Sequence, residues 1–206
     1  ATMLVVITTD AVLTAEQADE ALRAATTVTF DRLDSDGCMS TNDQVTLLAS
    51  GASGSTPDPT DFAAALREVS DNHAAQHQGD AEGASHDITI DVQHAETEAD
   101  AVEVGRSVAR NNLFKAAIFG NDPNWGRVLA AIGTTQAAFD PYDVDVYMNG
   151  VRVCTAGGPA RPREEVALPP RATSLVIYLK VGSAEARIRT NDLTHDYVHE
   201  NSAYAS

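Results

Sequence analysis

Basic residues are scarce in this chain: 14 lysines and arginines stand against 30 aspartates and glutamates over 206 residues, a formal net charge of −16. Nucleic acid and anionic lipid surfaces both demand a basic footprint, so neither nucleic acid nor membrane is expected as a partner. Cysteine is nearly absent as well. Cys38 and Cys154 lie far apart and form no Cys-x-x-Cys pair. That excludes a disulfide framework, makes both thiols structural and fits a reducing, cytoplasmic location. No apolar run approaches the length that spans a bilayer. No charged leader precedes an apolar stretch, so no signal peptide is expected. A phosphate-cradling Gly-x-x-x-x-Gly-Lys, the dinucleotide-binding glycine fingerprint and a Gly-x-Ser-x-Gly elbow are all missing, which disfavours cofactor enzymes of those types.

What is present begins with Ala1-Thr2-Met3-Leu4-Val5-Val6-Ile7-Thr8-Thr9. Chain ends fray unless something ties them down. Here the chain enters an apolar, β-branched run within two residues, which reads as a buried strand. A hydroxyl at the lip of that strand suggests an N-terminal threonine nucleophile at Thr2, with the residue's own α-amine as base. The same residues also read as an ordinary start in which Thr2 is only a strand residue.

Thr14-Ala15-Glu16-Gln17 reads as a capping box opening a helix that runs to about residue 30. Asp31 to Gly37 superficially resembles a calcium loop, but Arg32 falls where the first carboxylate ligand is needed. Ser40-Thr41-Asn42-Asp43 is a cluster of N-cap residues, and a helix is expected to start there. A long helix follows over 60–77, carrying His73 and His77. Ala74 stands where a zinc protease would have glutamate, and the pair His195 and His199 lacks a third ligand, so no metal is expected. Gly79-Asp80-Ala81-Glu82-Gly83 is a carboxylate-bearing turn at the mouth of a strand over 86–92. It is either a solvated turn or a place to hold a substrate amine.

Further along, the pattern predicts a helix over 97–113 and a short strand over 115–119. A helix capped by Asp122 follows, with Trp125 and Arg127 in its first turn, as an anion-binding helix start or as packing. From residue 134 the texture turns to strands over 144–147, 151–154, 174–181 and 184–190. Asn149-Gly150 and Gly182-Ser183 are hairpin signals, residues 157–171 read as irregular loop, and the tail from 193 is expected to dock.

Ala1-Thr2-Met3-Leu4, Thr8-Thr9-Asp10-Ala11, Ser40-Thr41-Asn42-Asp43, Asp80-Ala81-Glu82-Gly83, Asp122-Pro123-Asn124-Trp125-Gly126-Arg127 and Asn201-Ser202-Ala203-Tyr204 together resemble the β chain of the ornithine acetyltransferase (glutamate N-acetyltransferase) family, the bifunctional arginine biosynthesis proteins. The resemblance implies a precursor that cuts itself between Ala1 and Thr2. It implies Thr2 as the nucleophile that takes acetyl from N-acetylornithine and gives it to glutamate in a ping-pong transfer. Glu82, Asn201 and Ser206, with Thr2, are then the substrate-binding residues. No cofactor is expected, with acetyl-CoA a co-substrate if the enzyme is bifunctional. The expected partner is the alpha chain of the same precursor, in a heterotetramer of two alpha and two beta chains, and the alpha chain is expected to supply the oxyanion hole.

The fold class implied is α/β (α+β layered), an αββα-type sandwich shared with the alpha chain plus a smaller C-terminal α/β domain. Residues 1–133 are expected to form the core portion and 134–206 the smaller domain, with a tail returning to the site. While Ala1 is joined to Thr2, the Thr2 nitrogen is an amide and cannot act as a base, so the working enzyme is expected to begin at Thr2. Two other readings remain open on the residues: an amidase or aminopeptidase of the same self-cleaving architecture, and a non-catalytic acidic ligand-binding domain.

Overall fold

The computed structural model describes residues 2–203. The chain divides into two units, one of Ala1–Arg32 with Cys38–Gln76 and the other of Leu33–Gly37 with His77–Ser206. The expected boundary at 133/134 falls inside the second unit. Both units are mixed α/β, with helices layered on sheets.

In the first unit β1 (Leu4–Thr9) and β2 (Gln44–Ala49) form a two-stranded parallel sheet. Helix α1 (Ala15–Val28) connects them, opened by the expected capping box of Thr14 and Gln17. Helix α2 (Pro59–Gly79) follows β2, and its last residues, 77–79, belong to the second unit. Val5 and Ile7 of β1 pack with Ala25, Phe30, Leu66 and Ala74. Alternation along the strand sends Leu4, Val6 and Thr8 the other way. Leu4 and Val6 are exposed at 67% and 62%, and Leu48 of β2 at 53%. The first strand is therefore half-buried, where a buried one was expected. Parallel strands are ordinarily covered on both faces; this pair is covered on one.

β2 corrects a second expectation, because the Ser40–Asp43 cluster does not open a helix. Its side chains bond backward instead. The Met3 backbone N–H donates to Asp43 Oδ1 at 2.9 Å, and the Ser40 hydroxyl donates to the same oxygen at 2.8 Å. Ser and Asp offer the backbone such local alternatives to a helix. The following Val45-Thr46-Leu47-Leu48 then pairs with β1 in the register Val5↔Val45 and Ile7↔Leu47.

The second unit is built on a six-stranded sheet in the order β6-β5-β4-β7-β3-β8. Its strands are β3 (Asp87–Ala95), β4 (Asp145–Met148), β5 (Val151–Thr155), β6 (Gly158–Pro159), β7 (Ala172–Tyr178) and β8 (Ala184–Asn191). β3 and β7 run parallel, and β4 and β8 flank them antiparallel. The Asn149-Gly150 hairpin joins β4 to β5, with both residues at positive φ as a two-residue turn of that type requires. Gly182-Ser183 does not close a hairpin. β8 pairs with β3 rather than with β7, and a Cβ at Gly182 would strike the backbone of Ala95.

Helices α3 (Glu98–Ala109), α4 (Asn112–Phe119) and α5 (Trp125–Ile132) cover one face of this sheet. α3 buries Ala101, Val104, Gly105, Val108 and Ala109, a helical stripe. Where a strand over 115–119 was expected there is α4. Five residues, four of them apolar, do not by themselves separate strand from helix. The deciding residue is Asn111, whose side chain caps the helix by accepting from the Phe114 N–H at 2.9 Å. The cap of α5 is likewise Asn124 rather than Asp122.

α3 lies so close to β8 that a Cβ at Gly105 would sit 2.6 Å from Ile188 Cγ1. Gly105→Ala gains about 1 kcal/mol of helix propensity but overpacks the core at a cost of about 1–3 kcal/mol. A net loss of stability is expected in chemical denaturation. Combined with Ile188→Ala, the two losses are expected to fall short of additive.

Candidate active site

Thr2 lies exposed just ahead of β1. Its neighbour Met3 is fixed twice: its N–H on Asp43, and its carbonyl accepting from the Gln44 N–H at 2.9 Å. Hydrogen bonds from the Met3 amide and the Ser40 hydroxyl hold the Asp43 carboxyl below its ordinary range. An ionised Asp43 thus anchors the backbone one residue beyond the expected nucleophile. Ala1 and Ser206, named in the sequence reading, lie outside the described residues.

Glu82 and Asn201 both belong to the second unit. Glu82 is exposed in the turn before β3, and Asn201 is exposed on α6 (His195–Ala203), the docked helix of the tail. The turn and the helix meet at Gly83. There φ is +71°, and a Cβ would lie 2.6 Å from the Asp196 carbonyl carbon and collide with the Tyr197 backbone nitrogen. Thr194 joins them, its hydroxyl donating to the Gly83 carbonyl at 2.5 Å and accepting from the Tyr197 N–H at 2.9 Å. Asn201 follows one turn later, donating to the Tyr197 carbonyl at 2.9 Å. At 1.5 Å per residue this sets Asn201 about 6 Å along the helix from the Gly83 contact.

Both flanks of the Glu82 turn are held by polar groups, with Gln78, Asn191, His86 and Asp192 buried and Arg171 exposed. Gln78 donates to the carbonyls of Ile88 and Thr190 at 2.9 and 2.8 Å. Asn191 donates to those of Gln78 and His86 at 3.0 and 3.2 Å. Arg171 forks onto Asp87 at 2.9 and 3.0 Å and reaches the Gly79 carbonyl at 2.7 Å. On the strand side, Asp192 accepts from the backbone N–H groups of Ser85 and His86, each at 2.9 Å, from the Ser85 hydroxyl, and from His86 Nδ1 at 2.7 Å. Burial pushes the Asp192 carboxyl up, but the bonds from Ser85 and His86 outweigh it and hold it below its ordinary range.

Ser85, His86 and Asp192 have the composition of a hydrolase triad but not its geometry. The Ser85 hydroxyl donates to the aspartate, and His86 Nε2, which would have to accept a nucleophile's proton, faces the Leu168 carbonyl at 2.9 Å. The Asn124–Arg127 helix start is packing as well. Its first-turn amide is capped by Asn124, Arg127 donates to the Leu113 carbonyl at 2.5 Å, and Trp125 packs on the core. Among the described residues no group of three or more His, Cys, Asp or Glu side chains is placed to hold a metal ion. No described helix is long and apolar enough to cross a membrane. A cavity of about 410 Å³ lined by His94, Asp145, Tyr147, Tyr178, Lys180 and Gly182 opens near the far end of β3 and contains none of the expected site residues.

A profile of the ArgJ family matches residues 1–206. The chain belongs to the ArgJ family. It is 62% identical to the arginine biosynthesis bifunctional protein ArgJ of Streptomyces coelicolor and 58% identical to that of Thermobifida fusca. In each case all of this chain is matched, to 54% of the relative's length. The chain thus spans about half the length of these curated relatives. The crystal structure of the arginine biosynthesis bifunctional protein ArgJ of Bacillus halodurans superimposes with a TM-score of 0.92 at 31% identity, covering 98% of this chain and 100% of that one. The layered α/β fold is therefore the family's.

The sequence pointed to Glu82 and Asn201 but not to the groups that fix them. His86 and Asp192 are 106 positions apart, and no local spacing links such residues. Asp192 contributes stability only while ionised. Its pKa is depressed in the folded state, so the contribution is present above the unfolded carboxylate value of about 3.9 and is lost as pH falls through the folded value. Asp192→Asn is expected to cost about 3–5 kcal/mol at neutral pH, and denaturation curves of the two proteins should converge below about pH 4.

Proposed function

We propose that this chain carries the nucleophile and the amino-acid-binding residues of an acetyltransferase that moves acetyl from N2-acetyl-L-ornithine to L-glutamate in arginine biosynthesis. Thr2 Oγ attacks the acetyl carbonyl carbon while the Thr2 α-amine takes the hydroxyl proton. The amide C–N bond breaks, and ornithine leaves with that proton. The α-amine of glutamate then attacks the acetyl-threonine ester, and a proton returns to Thr2 Oγ. Base and nucleophile share one Cα, so little ordering is needed. An α-amine titrates near pH 8, which leaves a useful neutral fraction at cellular pH. Glu82 and Asn201, with Ser206, hold the amino-acid portion of the substrate, the Glu82 carboxylate meeting an ammonium group.

The observation that carries this reading is the anchoring of Met3 on Asp43 in a chain of this family, which steadies an exposed Thr2 just ahead of the strand. Release of the Thr2 amine requires scission of the Ala1–Thr2 bond. In support, the chain covers about half of its curated relatives yet the whole chain of the Bacillus halodurans structure. The remaining length of the relatives is the alpha chain of the same precursor. The uncovered face of β1 and β2, with Leu4, Val6 and Leu48, is where it packs, in an assembly of two alpha and two beta chains.

Thr2→Ala in the complete protein is expected to abolish acetyl transfer from N-acetylornithine, with less than one-thousandth remaining, while the fold persists. Reaction of the wild type with N-acetylornithine alone, followed by acid quench and mass spectrometry, should show one acetyl group on Thr2. Acetyl on another side chain, or on none, overturns the mechanism. For the partner, Val6→Asp sets an unpaired carboxylate against that apolar face. The two chains are expected to separate in size-exclusion chromatography where the wild-type pair co-elutes.

A further inference from the structure

His86 is 5% exposed, and its ring is held on both sides. Nδ1 stands 2.7 Å from Asp192 Oδ2 and 3.1 Å from the Ser85 hydroxyl, and Nε2 stands 2.9 Å from the Leu168 carbonyl. Both nitrogens therefore face an acceptor. The charged groups around it are few. Asp192 precedes α6, while Asp87 and Arg171 form their own two-pronged pair on the neighbouring strand ends. The segment before β7 turns the Leu168 carbonyl to the ring, and its last residue, Arg171, bonds the Gly79 and Ala84 carbonyls on the two sides of the turn.

Three stretches of chain converge on this ring: the Glu82 turn, which ends at Ser85 and His86; the segment through Leu168; and Asp192, which leads through Thr194 into the helix bearing Asn201. We propose that His86 is a positioning residue for substrate binding, its ring tying the Glu82 turn both to the segment that starts the Asn201 helix and to the segment through Leu168. The clamp acts on a geometry that Gly83 leaves little room to relax, because the turn backbone already touches Asp196 and Tyr197. Without the ring, Asp192 keeps the Ser85 donors and the His86 backbone N–H but loses its cross-link to Leu168. The turn then stays folded while Glu82 samples orientations that do not meet a substrate ammonium. His86 touches no reacting atom, so the cost falls on binding rather than on the acyl-transfer steps.

This inference rests on the acetyltransferase reading above, and the test separates the two. In the complete protein, His86→Ala is expected to raise KM for N-acetylornithine about tenfold, equivalent to about 1.4 kcal/mol, with kcat within about threefold and the mass of the acetyl-enzyme unchanged. His86→Gln, which keeps one donor toward one of the two acceptors, is expected to recover part of the loss. Should His86→Ala not fold, His86→Gln carries the test, and a smaller rise in KM at unchanged kcat is expected of it. An unchanged KM, or a fall in kcat at constant KM, overturns the positioning role. A wild-type protein that transfers no acetyl overturns the functional reading instead.

Discussion

Asp192 keeps a negative charge where only 2% of the residue is exposed, and the second unit is arranged to make that tolerable. Removing a carboxylate from water costs several kcal/mol unless its lone pairs are met. Two hydroxyl and ring donors and two backbone N–H groups meet them here, all from Ser85 and His86. Because those donors sit at the end of the Glu82 turn and the acceptor sits just ahead of the terminal helix, satisfying the charge also fixes the chain path. The same economy holds one residue back. Asn191 closes the carbonyls of Gln78 and His86, and Gln78 closes those of Ile88 and Thr190, a facing pair on β3 and β8. The polar residues about the turn thus finish the sheet edge and present Glu82 as one piece of construction.

The two units solve different packing problems. In the second, Gly105 lets a helix sit almost on the sheet, and Gly182 lets the β7–β8 connection pass against the Ala95 backbone. The core there is closed, with Ile88, Ile90, Val92, Leu175, Ile177 and Ile188 all essentially inaccessible. In the first unit the buried apolar set is short, Val5, Ile7, Ala25, Phe30, Leu66 and Ala74. Its order near Thr2 comes as much from Asp43 as from burial.

Much of the fold was legible because it is written in local terms. The Thr14–Gln17 box, the Asn149-Gly150 turn and the alternation along β3 and β7 are decided by neighbours within a few residues. The failures have one cause, that local patterns tie and a distant contact breaks the tie. Ser40 and Asp43 suit a helix cap, but Met3, 40 residues earlier, takes the carboxylate first. The run from Lys115 to Phe119 suits strand or helix, and Asn111 with the burial of Phe114 and Ile118 decides for helix. Gly182-Ser183 has hairpin chemistry, yet β8 is claimed by β3. For the expected site, the Glu82 turn was readable from its residues as a candidate amine-holding loop, whereas Asn201 was readable only through family resemblance. The buried bonds that hold the turn and the start of the helix were not readable at all, since pairing across about a hundred residues leaves no trace in spacing.

The half-dressed ribbon of β1 and β2 has a thermodynamic consequence. If the proposed alpha chain covers that side, the folding free energy of this layer contains a binding term and follows mass action. Dilution that strips off that cover would lower the melting temperature of the first unit, whereas the closed apolar core of the second, packed under its own helices, carries no such term.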